Sequence, residues 1–274
     1  MQYIHRLFIL SGLLFSCALT VAQTNTPSVE EIVHRVNQVA YYQGKDGRAQ
    51  VNMQIIDSQG RVRQRSFTIL RRDTADTDDT NNGAYMSEQQ FYVYFNRPAD
   101  VNKMVFMVHK KLTAEDDRWL YLPALDLVKR IAASDKRTSF VGSDYFYEDV
   151  SGRSIDADTH ELINTTANYY VLRHKPKDAA TVEFSYYDMY VHKQSFIPVQ
   201  MEFYDANQEK YRIAKALKIE SIQGYPTVIE ASVENLSTGS KTLMSYSKVG
   251  YDIDLPESLF TERFLRAAPR QYLR

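Results

Sequence analysis

The chain has 274 residues, with 33 Lys and Arg against 34 Asp and Glu, a net charge of −1. That balance excludes the strongly basic face that nucleic-acid binding demands, and a chain of this length buries a sizeable core without staples. Its one cysteine, Cys17, excludes an internal disulfide.

Met1 to Ala22 reads as an address and not as fold. His5 and Arg6 make a short basic start, Leu7 to Phe15 is almost wholly apolar, and Thr20-Val-Ala22 offers small residues at a signal-peptidase site. The apolar run is shorter than the roughly 20 residues of a spanning helix. Leu14-Phe-Ser-Cys17 comes close to a lipobox, in which Cys17 would be lipidated, but Phe15 fits poorly beside the cleavage point, and cleavage after Ala22 is the preferred reading. The exported chain is then residues 23–274. It loses one cation, Arg6, leaving 32 basic against 34 acidic side chains, a charge of −2, and no cysteine. No Pro- or Gly-rich linker and no fixed repeat interrupts it, so one domain is expected over 23–274.

Ser28-x-x-Glu31 is a capping box, and Val29, Ile32, Val33, Val36, Val39 and Ala40 lay one apolar stripe along the helix that follows. Gly44 and Gly47 end it. A lone amphipathic helix needs a partner, and a sheet is the obvious one. Ala49, Val51, Met53 and Ile55 alternate with polar residues, Asp57-Ser-Gln-Gly60 predicts a hairpin turn, and Arg61 to Arg72 is the return strand. Asp73 to Gly83 is acidic and rich in Thr and Asn, and reads as a mobile loop. It lacks the ligand spacing and closing Glu of a calcium loop.

Phe91 to Phe95 and Met104 to Val108 are apolar on both faces, with Asn96-Arg-Pro-Ala-Asp100 as the turn between them. An antiparallel sheet with one wet face would alternate with polar residues instead. Each face therefore needs a cover: a helix on one, and more protein or a ligand on the other. Trp119 to Pro123 reads as a strand ending in a turn, and Asp126 to Ile131 as a second short strand. Lys129, Arg130, Lys136 and Arg137 face the acidic, aromatic Gly142 to Asp149, where Ser143 is expected to cap a short helix with Asp144 in its first turn. Further strands are predicted over 168–174, 182–191, 199–204, 211–222, 228–236 and 242–249. Pro256 to Leu265 closes the chain as a short helical turn docked on the sheet. Long strands with short turns argue for a meander, one large curved antiparallel sheet.

Little in the chain suits chemistry. No histidine stands at the i, i+4 spacing of a helical zinc site, and Asp156-Ala-Asp-Thr-His160, the nearest to a ligand cluster, fits an exposed turn as well. No nucleophile elbow, P-loop or dinucleotide fingerprint is present. Ser143 as a nucleophile would need a base and an orienting acid that spacing does not supply. No catalytic residue, metal or cofactor is expected. The aromatics remain: 20 Tyr against 13 Phe and one Trp, an excess that suits surfaces apolar in body and wet at the tip. Phe95, Phe106, Trp119, Tyr121, Phe140, Tyr145 and Phe146 are the candidates to line a cavity or its mouth, an ordinary large core being the alternative.

The run Trp119-Leu-Tyr-Leu-Pro-Ala-Leu125, continued by Val128-Lys-Arg-Ile131 and on to Val150, resembles the signature of the LolA-like, outer-membrane lipoprotein-sorting protein family of bacterial envelopes. The similarity extends from about Ser28 to Leu265. It implies a mainly β (α+β) fold, a single large curved antiparallel sheet forming an unclosed β-barrel with helices over its concave side. A hydrophobic cavity for acyl chains would lie between them. Phe140 to Gly152 would lie in or over its mouth as a covering segment that includes Ser143, Asp144, Glu148 and Asp149. The function implied is a periplasmic, non-catalytic carrier of an acyl lipid or lipoprotein, with an inner-membrane exporter of the resistance-nodulation-division (RND) type as partner; a monomer is expected. The alternative is a structural or adaptor subunit whose core is filled by its own side chains.

Overall fold

The computed structural model describes residues 26–74 and 87–274. The expected signal, with Cys17, and most of the acidic run Asp73 to Gly83 lie outside the described residues.

Helix α1, Val29–Tyr41, begins where the sequence places it. The Ser28 hydroxyl accepts the Glu31 backbone N–H at 3.1 Å, satisfying one of the donors a helix start leaves over. Ile32, Val33 and Val36 are buried. They pack on Leu172, Tyr187, Met189 and Phe203, so the stripe has found its sheet.

Six strands follow: β1 (Asp46–Ile56), β2 (Val62–Asp73), β3 (Gln89–Arg97), β4 (Val105–Lys110), β5 (Asp117–Leu122) and β6 (Leu127–Arg130). Seven more come after a long connection: β7 (Asp158–Thr165), β8 (Tyr169–Pro176), β9 (Tyr186–His192), β10 (Pro198–Tyr204), β11 (Lys210–Ile222), β12 (Tyr225–Asn235) and β13 (Ser240–Tyr251). Within each run every strand pairs antiparallel with the next, and β13 returns to pair with β1, Met53 opposite Met244. The free edges are β6 and β7. They are consecutive in the chain yet unpaired with each other, so the barrel stays unclosed. Both edges are blunted against stray pairing: β6 is four residues ending in Lys129 and Arg130, and β7 is bulged between Leu162 and Asn164.

The two-sided apolar strands are covered twice. Phe91, Val93, Phe95, Phe106 and Val108 join Val51, Met53 and Ile55 on the concave face. Tyr92, Val105 and Met107 face the other way, onto Leu255, Leu259, Phe260, Leu265 and Leu273 of the C-terminal segment. More protein, not a ligand, therefore covers the outer face. Tyr92 Oη donates to Phe264 O at 2.7 Å and Thr68 Oγ1 to Leu273 O at 3.1 Å, which fixes the segment's position. A one-turn helix there, α3 (Arg263–Arg266), sits outside the barrel, while α1 and α2 (Tyr147–Ser151) lie over the concave side.

Residues 131–157 run from one free edge to the other as a strap across the concave face. Ile131, Phe140 and Tyr147 are buried there among β1 to β4. The strap departs from expectation at Ser143. The helix begins at Tyr147, and the Phe146 N–H donates to the Asp149 carboxylate at 2.8 Å. Ser143 is buried, with its hydroxyl donating to Phe140 O at 2.7 Å, so it closes a turn ahead of the helix, and Asp144 is not in the first turn. Asp156 to His160 is likewise no simple turn: a one-turn 3-10 helix, Ile155–Ala157, leads into edge strand β7. Its polar residues look like loop in sequence because an edge strand is half solvated.

Gly152 ends α2 at φ +76°, and a Cβ built there would overlap the Tyr41 ring, 2.6 Å from its hydroxyl oxygen. The Gly152→Ala variant is expected to lose about 1–3 kcal/mol, from left-handed strain and overpacking together. Urea unfolding measures it, and a loss below a few tenths would show that the strap yields freely at this point.

Candidate functional site

The strap and α1 fill the concave face unequally. Beside β1 to β4 the packing is tight: Phe140 meets Phe95, Phe106 and Tyr147 at ring separations of 5.8, 5.5 and 5.6 Å, the last edge-on at 88°. Beneath α1 it is not. A cavity of about 260 Å³ lies between α1, the strap and strands β7 to β12, with Val33, Val36, Leu172, Met189, Met201 and Val233 among its walls. A second, of about 310 Å³, lies under the C-terminal end of α1 against β1, β2, β12 and β13. A third, of about 90 Å³, lies beneath the strap, lined by Phe67, Val93, Phe140 and Tyr145 among others. The space exists because of small side chains: Ala214 and Ala216 of β11 face it, and Ala216 stands opposite Ala231 of β12.

Of the seven aromatics singled out from sequence, the structure does not make one wall. Tyr145 lines the first and third cavities, and Phe140 the third. Phe95 and Phe106 are fully buried in the packed cluster. Trp119 and Tyr121 share a strand parity that turns them to the outer face, against the C-terminal segment. Phe146 is held between two guanidinium groups, 4.8 Å from Arg137 and 4.5 Å from Arg212. Sequence reasoning missed the residues that line most of the space: α1's Val33, Val36 and Tyr41, and the alanines. The one available signal was Ala214-x-Ala216, small residues two apart on one face of a strand.

Charged side chains tie down the strap. Arg137 donates twice to Glu183, both at 2.6 Å, and once to Glu148 at 2.7 Å. Arg212 reaches Asp149 at 2.5 Å, and Arg153 grips Asp158 with Nε and Nη2. The Asp144 carboxylate accepts from Thr242 Oγ1 at 2.7 Å and from Ser240. Lys110 Nζ donates to Ser151 O at 2.8 Å and lies over the Tyr41 ring; burial pushes its pKa down to about 8. Thus Asp144, Glu148 and Asp149, named from sequence as part of a covering segment, each anchor the strap. The basic patch divides: Lys136 and Arg137 turn to Glu148, while Arg130 pairs with Asp117.

At the cavity wall nearest β7, His160 and His174 bond through their Nδ1 atoms at 2.7 Å. His160 Nε2 meets Ile155 O at 2.9 Å, and a carbonyl can only accept, so that nitrogen carries the proton. In the neutral ring Nδ1 is then the acceptor, and His174 Nδ1–H the donor. His174 is buried and stacks on Tyr187 at 4.5 Å, whose hydroxyl donates to Asp158 at 3.2 Å. Among the described residues no group of three His, Cys, Asp or Glu side chains is arranged to hold a metal ion.

A family model described as "Uncharacterized protein" matches residues 87–267. The structure is similar to that of a DUF1329 family protein from Desulfovibrio piger, at 28% identity and a TM-score of 0.77 over 88% of this chain and 100% of that one. It is similar in fold to a candidate outer membrane lipoprotein-sorting protein domain from Vibrio parahaemolyticus, with 22% identity, a TM-score of 0.75, and 87% and 100% of the two chains covered. A LolA superfamily protein from Nitrosomonas europaea matches at 16% identity with a TM-score of 0.66, over 87% and 100%. A search of the curated proteins finds no match.

Proposed function

Because the chain belongs to the LolA-like family of outer-membrane lipoprotein-sorting proteins, we propose that it is a non-catalytic periplasmic carrier. It buries acyl chains of a lipid or lipoprotein beneath α1 and the strap and hands them on between membranes. The observation that carries this reading is the unfilled apolar space, about 260 and 310 Å³ in two cavities that share Tyr41, Pro198 and Val228 as walls. An adaptor with a self-filled core would repeat the Phe95, Phe106 and Phe140 packing over the whole concave face. Here half of that face is packed so, and the other half is open.

Binding then requires no chemistry. Each CH2 removed from water contributes about 0.8 kcal/mol, so a chain is held by burial alone. Release follows from hand-off or from movement of the strap, and Phe140 to Gly152, with Ser143, Asp144, Glu148 and Asp149, is the cover. Met1 to Ala22 serves as the export signal, residues 23–274 form the carrier domain, and an inner-membrane exporter of the RND type supplies the cargo.

The test is native mass spectrometry of the protein taken gently from the envelope fraction, with lipid extraction alongside. A bound mass that releases as an acyl lipid is expected; a bare protein that takes up no offered lipid would favour the adaptor. A companion variant, Ala216→Trp, fills the first cavity from its small-residue floor. It should weaken acyl-lipid uptake by at least roughly tenfold while the fold loses no more than about 1–3 kcal/mol. Unchanged uptake would move the chains elsewhere.

A further inference from the structure

The three cavities meet in pairs, and each shared wall carries a tyrosine. Tyr41 lies between the first and second, Tyr145 between the first and third, and Tyr246 between the second and third. The three come from separate elements: the last residue of α1, the strap, and β13. The space is therefore branched, with phenol rings as its partitions.

The hydroxyls are donors in want of acceptors. Burial raises all three pKa values, that of Tyr246 to about 12, and the neighbouring Asp149 carboxylate raises those of Tyr41 and Tyr145 further. All three thus keep their protons at any physiological pH. Tyr246 Oη points to Met244 Sδ at 3.3 Å, a weak acceptor. Among the described residues the Tyr41 and Tyr145 hydroxyls have no hydrogen-bond partner; Tyr41 takes part through its backbone carbonyl, which accepts from Arg71 and Gln89. Two free donors from separate elements, in a branched space whose first cavity also has Arg137, Asp149, Arg153, Arg212 and Lys215 in its walls, point to a ligand with acceptors at its own branch point.

Hydrocarbon chains have no acceptor, and a free fatty acid has one carboxylate, at the end of a single chain. A neutral ester carbonyl, set where several chains join one linker, meets every condition. On the acyl-carrier reading above, we propose that Tyr41 and Tyr145 donate hydrogen bonds to the ester carbonyl oxygens of a lipid with at least two acyl chains. The chains diverge into separate branches of the cavity. The two tyrosines then select diester lipids over single-chain amphiphiles and over lipids lacking the carbonyls.

The test compares a dipalmitoyl glycerophospholipid with its dihexadecyl diether analogue, identical in headgroup and chain length but without carbonyls. The wild-type protein should bind the diester roughly tenfold or more tightly than the diether, each hydroxyl supplying roughly fivefold. The variants Tyr41→Phe and Tyr145→Phe keep the ring walls and remove only the donors. The double variant should lose the preference while binding the diether as the wild type does. Equal affinity of the wild type for both lipids, or a preference that survives in the double variant, overturns the proposal and leaves the carrier reading intact. A wild-type protein that retains neither lipid overturns both.

Discussion

Replacing Glu148 by Ala is expected to lower the stability of the fold by about 3–5 kcal/mol, the range for breaking a buried ion pair on one side. Glu148 is 3% exposed and gathers three cations: Arg137 Nη1 at 2.7 Å, with Arg153 Nη1 and Lys136 Nζ each at 3.6 Å. All three cationic side chains are themselves mostly buried. Arg137 and Arg153 each hold a second carboxylate, Glu183 and Asp158, so neither is left wholly unpaired, and the lower half of the range is the better figure. Glu148→Gln keeps the shape and removes the charge, and should fall between wild type and Ala. Glu148 stands in α2, at the centre of the strap, so its loss should also speed the exchange of bound lipid. Denaturant unfolding reads the first effect and lipid off-rates the second. An unchanged midpoint for Glu148→Ala would mean that solvent reaches these cations, and that the strap is held by its apolar residues alone.

Much of this architecture is written locally in the chain. Ser28 and Glu31 announce α1, and period-2 alternation marks β1. The doubly apolar β3 and β4 require two covers, and Leu259 and Phe260 belong to one of them. The alternation also shows that Trp119 and Tyr121 oppose Leu120. What it does not show is which parity faces the concave side, because that is decided by β4, Met107 opposite Trp119 and Phe106 opposite Leu120. A choice between faces is a property of the sheet and not of one strand, so a cavity role for Trp119 could not be judged from its own neighbours. The cavity is harder still, since it consists of missing side chains. Ala216 and Ala231 open a space only because β11 and β12 pair in a register that brings them opposite each other. Even then the space survives only because α1 does not fill it. The strap is intermediate. Its density of charge and aromatics flags it in the sequence, yet its anchors, Glu183, Arg212 and Thr242, lie far along the chain.

Mild acid should destabilise the fold, and His174 should account for most of the effect between pH 6.5 and 5. Burial lowers the His174 pKa from its ordinary 6.5 to about 3, and the charge of His160 pushes in the same direction. The His160 pKa is also lowered, by burial first, with Asp158 and Asp156 opposing and Lys177 assisting. The sign follows from linkage. In this window the unfolded chain binds a proton that the folded chain refuses, so stability is complete above pH 6.5 and falls as the pH drops toward 3. Each pH unit removes about 1.4 kcal/mol per group, so His174 alone accounts for about 2 kcal/mol at pH 5 and about 3 kcal/mol at pH 4. Carboxylates act nearer their own range, those lowered by their partners, such as Glu183 and Glu202, adding losses of the same sign and those raised by burial, Asp73 and Asp116, opposing them, which leaves pH 5 to 6.5 as the diagnostic interval. The control is His174→Phe, which preserves a flat ring against Tyr187 but cannot titrate. Its stability at pH 7 should be lower, since His160 Nδ1 loses its donor, while its profile from pH 6.5 to 5 should be clearly flatter, keeping only the smaller slope that His160 contributes. Because the pair lines the first cavity beside the strap's exit into β7, acid loosening should begin there. Amide exchange at 154–162 should then rise before exchange in β1 to β4. A wild-type profile as flat as that of the variant would place the acid-sensitive groups outside this pair.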